Sequence, residues 1–193
     1  MSRIYVLQAP GIAVAAARMK ADVNFLGAVD ERTADWLSDN HVFLRERWMP
    51  GEVTVKQLQK LYHRLFPGDM LVMDGTLPDE LMAKAASYAR ELGAKVIIGL
   101  KGSGISGSPF SEADALMAVG DSADILVHKP SARWSGNPGT IVALESSDNL
   151  EAWVGAMALC LMNGLSLERS RSFCGRAAAC EGELPWYDEV AYG

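Results

Sequence analysis

Short apolar runs alternate with longer amphipathic ones along this chain, and that alternation constrains the fold more than any other feature. Residues 3–7, 23–28, 70–73, 95–100, 124–127 and 140–144 read as strands. Several are nearly continuous in Val, Ile, Leu and Met, as strands buried on both faces are. Between them, residues 11–20, 31–40, 54–66, 78–92, 111–119, 149–162 and 167–180 read as helices. Val55, Leu58, Leu61 and Leu65, for example, recur at helical spacing. Pro67-Gly68-Asp69 stops one helix, Pro78 opens the next and Gly93 caps it, while Gly164-Leu165-Ser166 joins the last pair. Residues 41–48 differ: Val42, Leu44 and Glu46 alternate with Phe43, Arg45 and Arg47, the period of a half-exposed edge strand. Repeated strand–helix alternation implies a three-layer α/β/α sandwich around a mainly parallel sheet. With no internal repeat, low-complexity tract or linker, residues 1–193 read as one domain.

Composition narrows the function classes. Apolar residues are 49% of the chain, enough for a substantial core, and charged residues are 22%, close to the usual globular share. The net charge of −6 repels a phosphate backbone, so nucleic acid is not an expected partner. Arg45, Arg47, Lys56, Lys60 and Arg64 form a local basic run that reads as a solvated face. Cys160, Cys174 and Cys180 contain no CxxC pair and read as buried free thiols in a reducing compartment. His41, His63 and His128 are scattered, so no metal site is expected. The first residues lack a signal-peptide core, and no apolar run is long enough to cross a bilayer. The expected location is the cytoplasm, without membrane contact.

Residues 11–30 are an alanine-rich helical run leading to a strand that ends in Gly27-Ala-Val-Asp30. Gly68-Asp-Met-Leu-Val-Met-Asp-Gly-Thr-Leu-Pro78 precedes a helix, Leu92-Gly93 and the strand 95–100. Residues 155–181 hold a closing helix pair, followed by Leu184-Pro185 and Asp188-Glu189-Val190. In that order these stretches resemble the ribokinase-like (PfkB) carbohydrate kinase family, and together they cover most of the chain. The resemblance implies a reduced ribokinase-like fold and an ancestry in ATP-dependent sugar phosphorylation. In the family a catalytic aspartate is the base, and glycine N–H groups at a helix start stabilise the transferring phosphoryl.

The family's motifs are altered here. Its Gly-Ala-Gly-Asp matches Asp148-Asn149-Leu150-Glu151, with both glycines gone and Glu151 at the base position. Asp148 as N-cap with Glu151 at N3 reads as a capping box, preferred over catalysis. The Gly-Gly-x-Gly-x-Asn before the first helix matches Val6 to Gly11, so Gly11 stands where the family has its sugar-contacting asparagine. The first strand runs almost directly into this helix, which implies that the lid strands are missing. Asn-x-x-Glu, linked to metal and phosphate handling, matches Lys129-Pro130-Ser131-Ala132. Only residues 133–144 fill the interval where the family places several strands and a nucleotide loop. A crossover alone takes at least about 10–12 residues, so the adenine wall is expected to be absent.

Other constellations are weaker. Gly102, Gly104 and Gly107 match GxGxxG after a strand, but Pro109 and Ser111 start the helix too late for a dinucleotide fingerprint. Anion binding by that loop stays open. Asp74-Gly75-Thr76 ends a strand where α/β proteins bind ligands, although a turn is the plainer reading. The ligand-binding candidates are thus Asp74, Gly102, Gly104, Gly107 and Asn149. The expected function is a non-catalytic, kinase-derived binding or regulatory protein without a cofactor. It would act through a protein partner, self-association or a small retained ligand. The alternative is a residual small-molecule kinase using Glu151 or Asp148 with ATP and Mg²⁺.

Overall fold

The computed structural model describes residues 2–100, 124–128, 139–145 and 148–179. In chain order its elements are β1 (Ile4–Leu7), α1 (Pro10–Arg18), β2 (Val23–Ala28), α2 (Glu31–Asp39) and β3 (Phe43–Trp48). The short α3 (Val55–Leu58) then runs into a 3₁₀ turn (Gln59–His63), followed by β4 (Met70–Asp74), α4 (Asp79–Glu91) and β5 (Lys95–Leu100). The remaining elements are β6 (Ile125–His128), β7 (Thr140–Ala143), α5 (Leu150–Met162) and α6 (Leu167–Ala179).

All seven strands of the described residues form one parallel sheet, ordered β3-β2-β1-β4-β5-β6-β7. Alternate side chains along each strand feed opposite faces. Ile4, Val6, Phe25, Val72 and Ile97 pack with α1, α2, α5 and α6 on one side. Tyr5, Leu7, Leu26, Leu71 and Ile98 pack with α3, the 3₁₀ turn and α4 on the other. The three-layer α/β sandwich read from the sequence is the observed architecture. The last expected strands and helices lie within a residue or two of their observed bounds, and the helix expected over 111–119 lies outside the described residues.

One element differs. Instead of a single helix over 54–66, α3 ends at Leu58 and a 3₁₀ turn follows. Thr54 and Gln57 form a capping box, with Thr54 N–H donating to Gln57 Oε1 at 2.7 Å. Leu58, Leu61 and Leu65 stay buried through the change. Their spacing of three and then four suits a 3₁₀ turn as well as an α-helix, so periodicity alone does not separate the two.

β3 is the expected edge strand: Phe43, Arg45 and Arg47 are exposed and Trp48 is buried. Its pairing with β2 passes from Leu44 to Glu46, so Arg45 is an extra, bulged residue. Arg45 Nε donates to Asn24 Oδ1 at 2.6 Å. Lys60 and Arg64 both reach Glu46, each at 2.7 Å. The basic run is therefore divided by its own acid, and the bulge and charges blunt the sheet edge.

At the other end of the chain, α5 is buried along nearly its whole length and lies across the sheet beside α1. Gly155 permits that contact, because a Cβ there would fall 2.9 Å from the backbone nitrogen of Ala16. Gly99 does the same under α5, where a Cβ would lie 2.9 Å from Val154 Cγ2. Among the described residues no helix is long and apolar enough to cross a membrane.

Candidate functional site

The sheet order reverses between β1 and β4, which are neighbours yet lead to crossovers in opposite directions. Loops leaving the carboxyl ends of such strands enclose the ligand crevice of open α/β sheets. Here the first loop is only Gln8 and Ala9, because α1 starts at Pro10. Gln8 has φ of 60°, a left-handed conformation unusual for a non-glycine residue. Its amide is clamped to β2: Gln8 Oε1 accepts from Ala28 N–H at 2.7 Å, and Gln8 Nε2 donates to the Ala28 carbonyl at 3.2 Å. Gly27 makes room, since a Cβ there would lie 2.5 Å from Gln8 Oε1.

Asp74 ends β4 on the far side of the crevice and is buried. Its Oδ1 accepts from Thr76 N–H at 3.0 Å and from the Thr76 hydroxyl at 2.5 Å. Thr76 Oγ1 also lies 3.0 Å from the Gln8 carbonyl oxygen, so this turn bridges the two strands of the switch point. Sequence reasoning marked Asp74 and Thr76 but missed Gln8, whose glycine-like backbone leaves no trace in its residue type.

The start of α5 forms the second wall. Its N-cap is Asn149, whose Oδ1 accepts from Ala152 N–H at 3.1 Å. The expected capping box on Asp148 is corrected by this: Glu151 falls at N2, and Asp148 folds back so that Oδ2 accepts from Glu145 N–H at 3.0 Å. The physical reason is competition between adjacent capping residues, since either side chain suits the position. Asn149 N–H in turn donates to the Ala178 carbonyl at 3.3 Å, which seats the last described turn of α6 on this helix start.

Glu151 points across to α1. A Cβ built on Gly11 would overlap its carboxylate, so the acid occupies space that any side chain at position 11 would need. The structure therefore brings together Glu151 and Gly11, which the sequence marked separately, next to the α1 N-terminus, where a negative charge is favoured. Gly102, Gly104 and Gly107 lie outside the described residues. Among the described residues no three His, Cys, Asp or Glu side chains cluster as metal ligands.

No family model matches the sequence, and no curated protein matches it. Solved structures do match. Arabidopsis thaliana ribokinase, complexed with ribose and ATP, superposes with a TM-score of 0.71 at 12% identity, over 98% of each chain. The tetrameric inhibited form of phosphofructokinase-2 from Escherichia coli gives 0.70 at 15% identity, over 99% of this chain and 98% of that one. The fold is ribokinase-like. A PfkB protein from Polaromonas gives 0.69 at 11% identity, over 100% of each chain. Identities this low carry the fold alone. Within the ribokinase-like frame, the Glu151–Gly11 contact joins the two positions that the sequence resemblance matched to the catalytic base and to a sugar contact.

Proposed function

We propose that this protein is a non-catalytic, kinase-derived binding or regulatory protein. The observation that carries this reading is the closed start of α5. Phosphoryl transfer needs N–H donors aimed at developing charge. At the matching helix start, Ala152 N–H is taken by the Asn149 side chain and Asn149 N–H by the Ala178 carbonyl. Both glycines of the family motif are replaced. With those donors engaged, this helix start offers fewer free N–H groups to a nucleoside triphosphate.

Two further features support the reading. The Glu151 carboxylate is packed over Gly11. A general base must instead lie within about 3 Å of the proton it removes, in a plausible substrate pose. Asp148 is held by the Glu145 backbone. The switch-point crevice between Gln8 and Asp74 is the place for a small retained ligand. The same reading places the chain in the cytoplasm as a single domain with protein partners, a second copy of itself among them.

Isothermal titration calorimetry with ATP and Mg²⁺, followed by phosphoryl-transfer assays on ribose and fructose 6-phosphate, tests this. We expect no binding heat and no transfer. Micromolar nucleotide binding or measurable turnover would establish a residual kinase instead, with Glu151 as the first candidate base.

A further inference from the structure

Near the sheet edge, β2 buries an amide: Asn24 is only 2% exposed. Burying a polar side chain costs free energy unless its hydrogen bonds are met. Asn24 meets them in two directions. Its Nδ2 donates to the Ile4 carbonyl at 3.3 Å, and its Oδ1 accepts from Arg45 Nε at 2.6 Å. Arg45 is the extra residue of the β3 bulge, and bulges re-aim side chains. It is exposed, and its guanidinium carbon stands 5.5 Å from the centroid of the Phe43 ring, within cation–π range. An amide from the core and an aromatic ring thus orient this arginine before any partner arrives.

Its charge is left over. Among the described residues no Asp or Glu side chain forms an ion pair with Arg45. Glu46, the next residue, is held by both Lys60 and Arg64. Glu46 is the register partner of Leu26, which packs in the layer of α3, and Asn24 lies two residues before Leu26 on the same face. Arg45, Lys60 and Arg64 thus outnumber Glu46 on that face, in a chain whose net charge is −6. Phe43, the register partner of Asn24, is 53% exposed. An oriented arginine beside an open aromatic ring has the composition of an interface hot spot, and orientation before binding lowers the entropic cost. The local surplus of cations suits a carboxylate, while the overall negative charge disfavours a long polyanion such as nucleic acid.

We propose that this face of β3 docks an acidic segment of a protein partner. A carboxylate of the segment meets the guanidinium edge of Arg45 that Asn24 leaves free, and an apolar side chain packs against Phe43. The segment binds through side chains, because the bulge opposes its joining the sheet as a further strand. The inference rests on the partner-binding reading above and gives it a surface and a partner chemistry.

A fluorescein-labelled peptide of glutamate, leucine and glycine is titrated with the full chain and followed by fluorescence anisotropy. A peptide of lysine, leucine and glycine is the control. We expect saturable binding of the acidic peptide alone, weakening as salt is raised. Arg45→Gln should weaken it about tenfold. Arg45→Lys keeps the charge but loses the planar fork, and should weaken it nearly as much. Arg47→Gln removes an equal charge two residues along the same edge and should stay within about twofold of wild type. Equal losses in Arg45→Gln and Arg47→Gln would reduce the effect to net charge and overturn the proposal, as would absence of binding by the wild type. Binding to phosphatidylserine vesicles that Arg45→Gln abolishes would assign the face to a membrane surface instead. A dimer abolished by that variant would assign it to a second copy. Arg45 and Arg47 are both exposed, so an unchanged thermal midpoint is expected and verifies the fold of each variant. Nucleotide binding or turnover would remove the non-catalytic reading and leave these outcomes readable, so the two can fail separately.

Discussion

Asp79 opens the core-facing stripe of α4, an acid where Met82, Ala85, Ala86 and Ala89 follow. It is only 6% exposed, and its Oδ2 has no hydrogen-bond partner. Burial pushes its carboxyl above the usual range. The α4 N-terminus offsets part of that, by about 0.3–1 kcal/mol, whereas an unsatisfied buried polar group costs about 1–3 kcal/mol, so burial dominates. The pH dependence follows from the raised folded value. Below the unfolded pKa the carboxyl is protonated in both states and nothing is lost. As pH rises from there toward the folded value, the unfolded chain gives up its proton first and stability falls. Asp79→Asn should therefore gain about 1 kcal/mol over wild type at neutral pH in urea unfolding. That gain should shrink toward zero as pH is lowered to the ordinary aspartate range. An equal gain at every pH would show that ionisation is not its source. The sequence placed Asp79 in the first turn of a helix. It did not reveal that this turn faces inward, because the acids Asp79 and Glu80 after a proline look like ordinary helix punctuation.

At the scale of elements, the contact between α1 and α5 decides the candidate site. Gly155 brings the helices together over Ala16, and Gly11 leaves room for the Glu151 carboxylate. Gly11→Asn, which restores the residue type of the family pattern, should cost about 1–3 kcal/mol, the usual penalty for overpacking. Glu151→Ala removes the obstructing group and keeps a good helix former. In the double variant most of the loss should return, a coupling of about 1 kcal/mol or more for residues in direct contact. Additive losses in thermal unfolding would mean that the two side chains do not share space. The helices themselves were legible from periodicity and punctuation. The cap was not: Asp148 and Asn149 are adjacent capping residues, and only the packed turn at Glu145 shows that Asp148 is used elsewhere.

For the whole molecule, the open question is what covers its exposed apolar side chains. Phe66, Tyr62 and Val55 stand out from the layer of α3 and the 3₁₀ turn, with Phe66 60% exposed. The β3 edge is blunted by its bulge and arginines, so sheet extension is a poor route to association. If the chain self-associates as proposed, this outer layer is the surface to use. Light scattering after size exclusion should then show a dimer or larger species. Phe66→Ser should weaken that association with little change in thermal midpoint, because the Phe66 side chain lies outside the core. A monomeric wild type across micromolar concentrations would remove self-association from the functional reading.

The sequence by itself determined the parallel α/β sandwich, the edge position of residues 43–48 and the order of nearly every described element. These depend on local periodicity and on glycine and proline, which act over a few residues. Tertiary structure alone decided that the Glu151 carboxylate fills the space over Gly11 and that Asn149 spends its side chain closing α5. The Glu151–Gly11 contact joins residues far apart along the chain, and Asn149 caps the helix because a packed turn engages the neighbouring Asp148 with Glu145. That geometry follows from how closely packed helices approach, which no local pattern of residue types encodes.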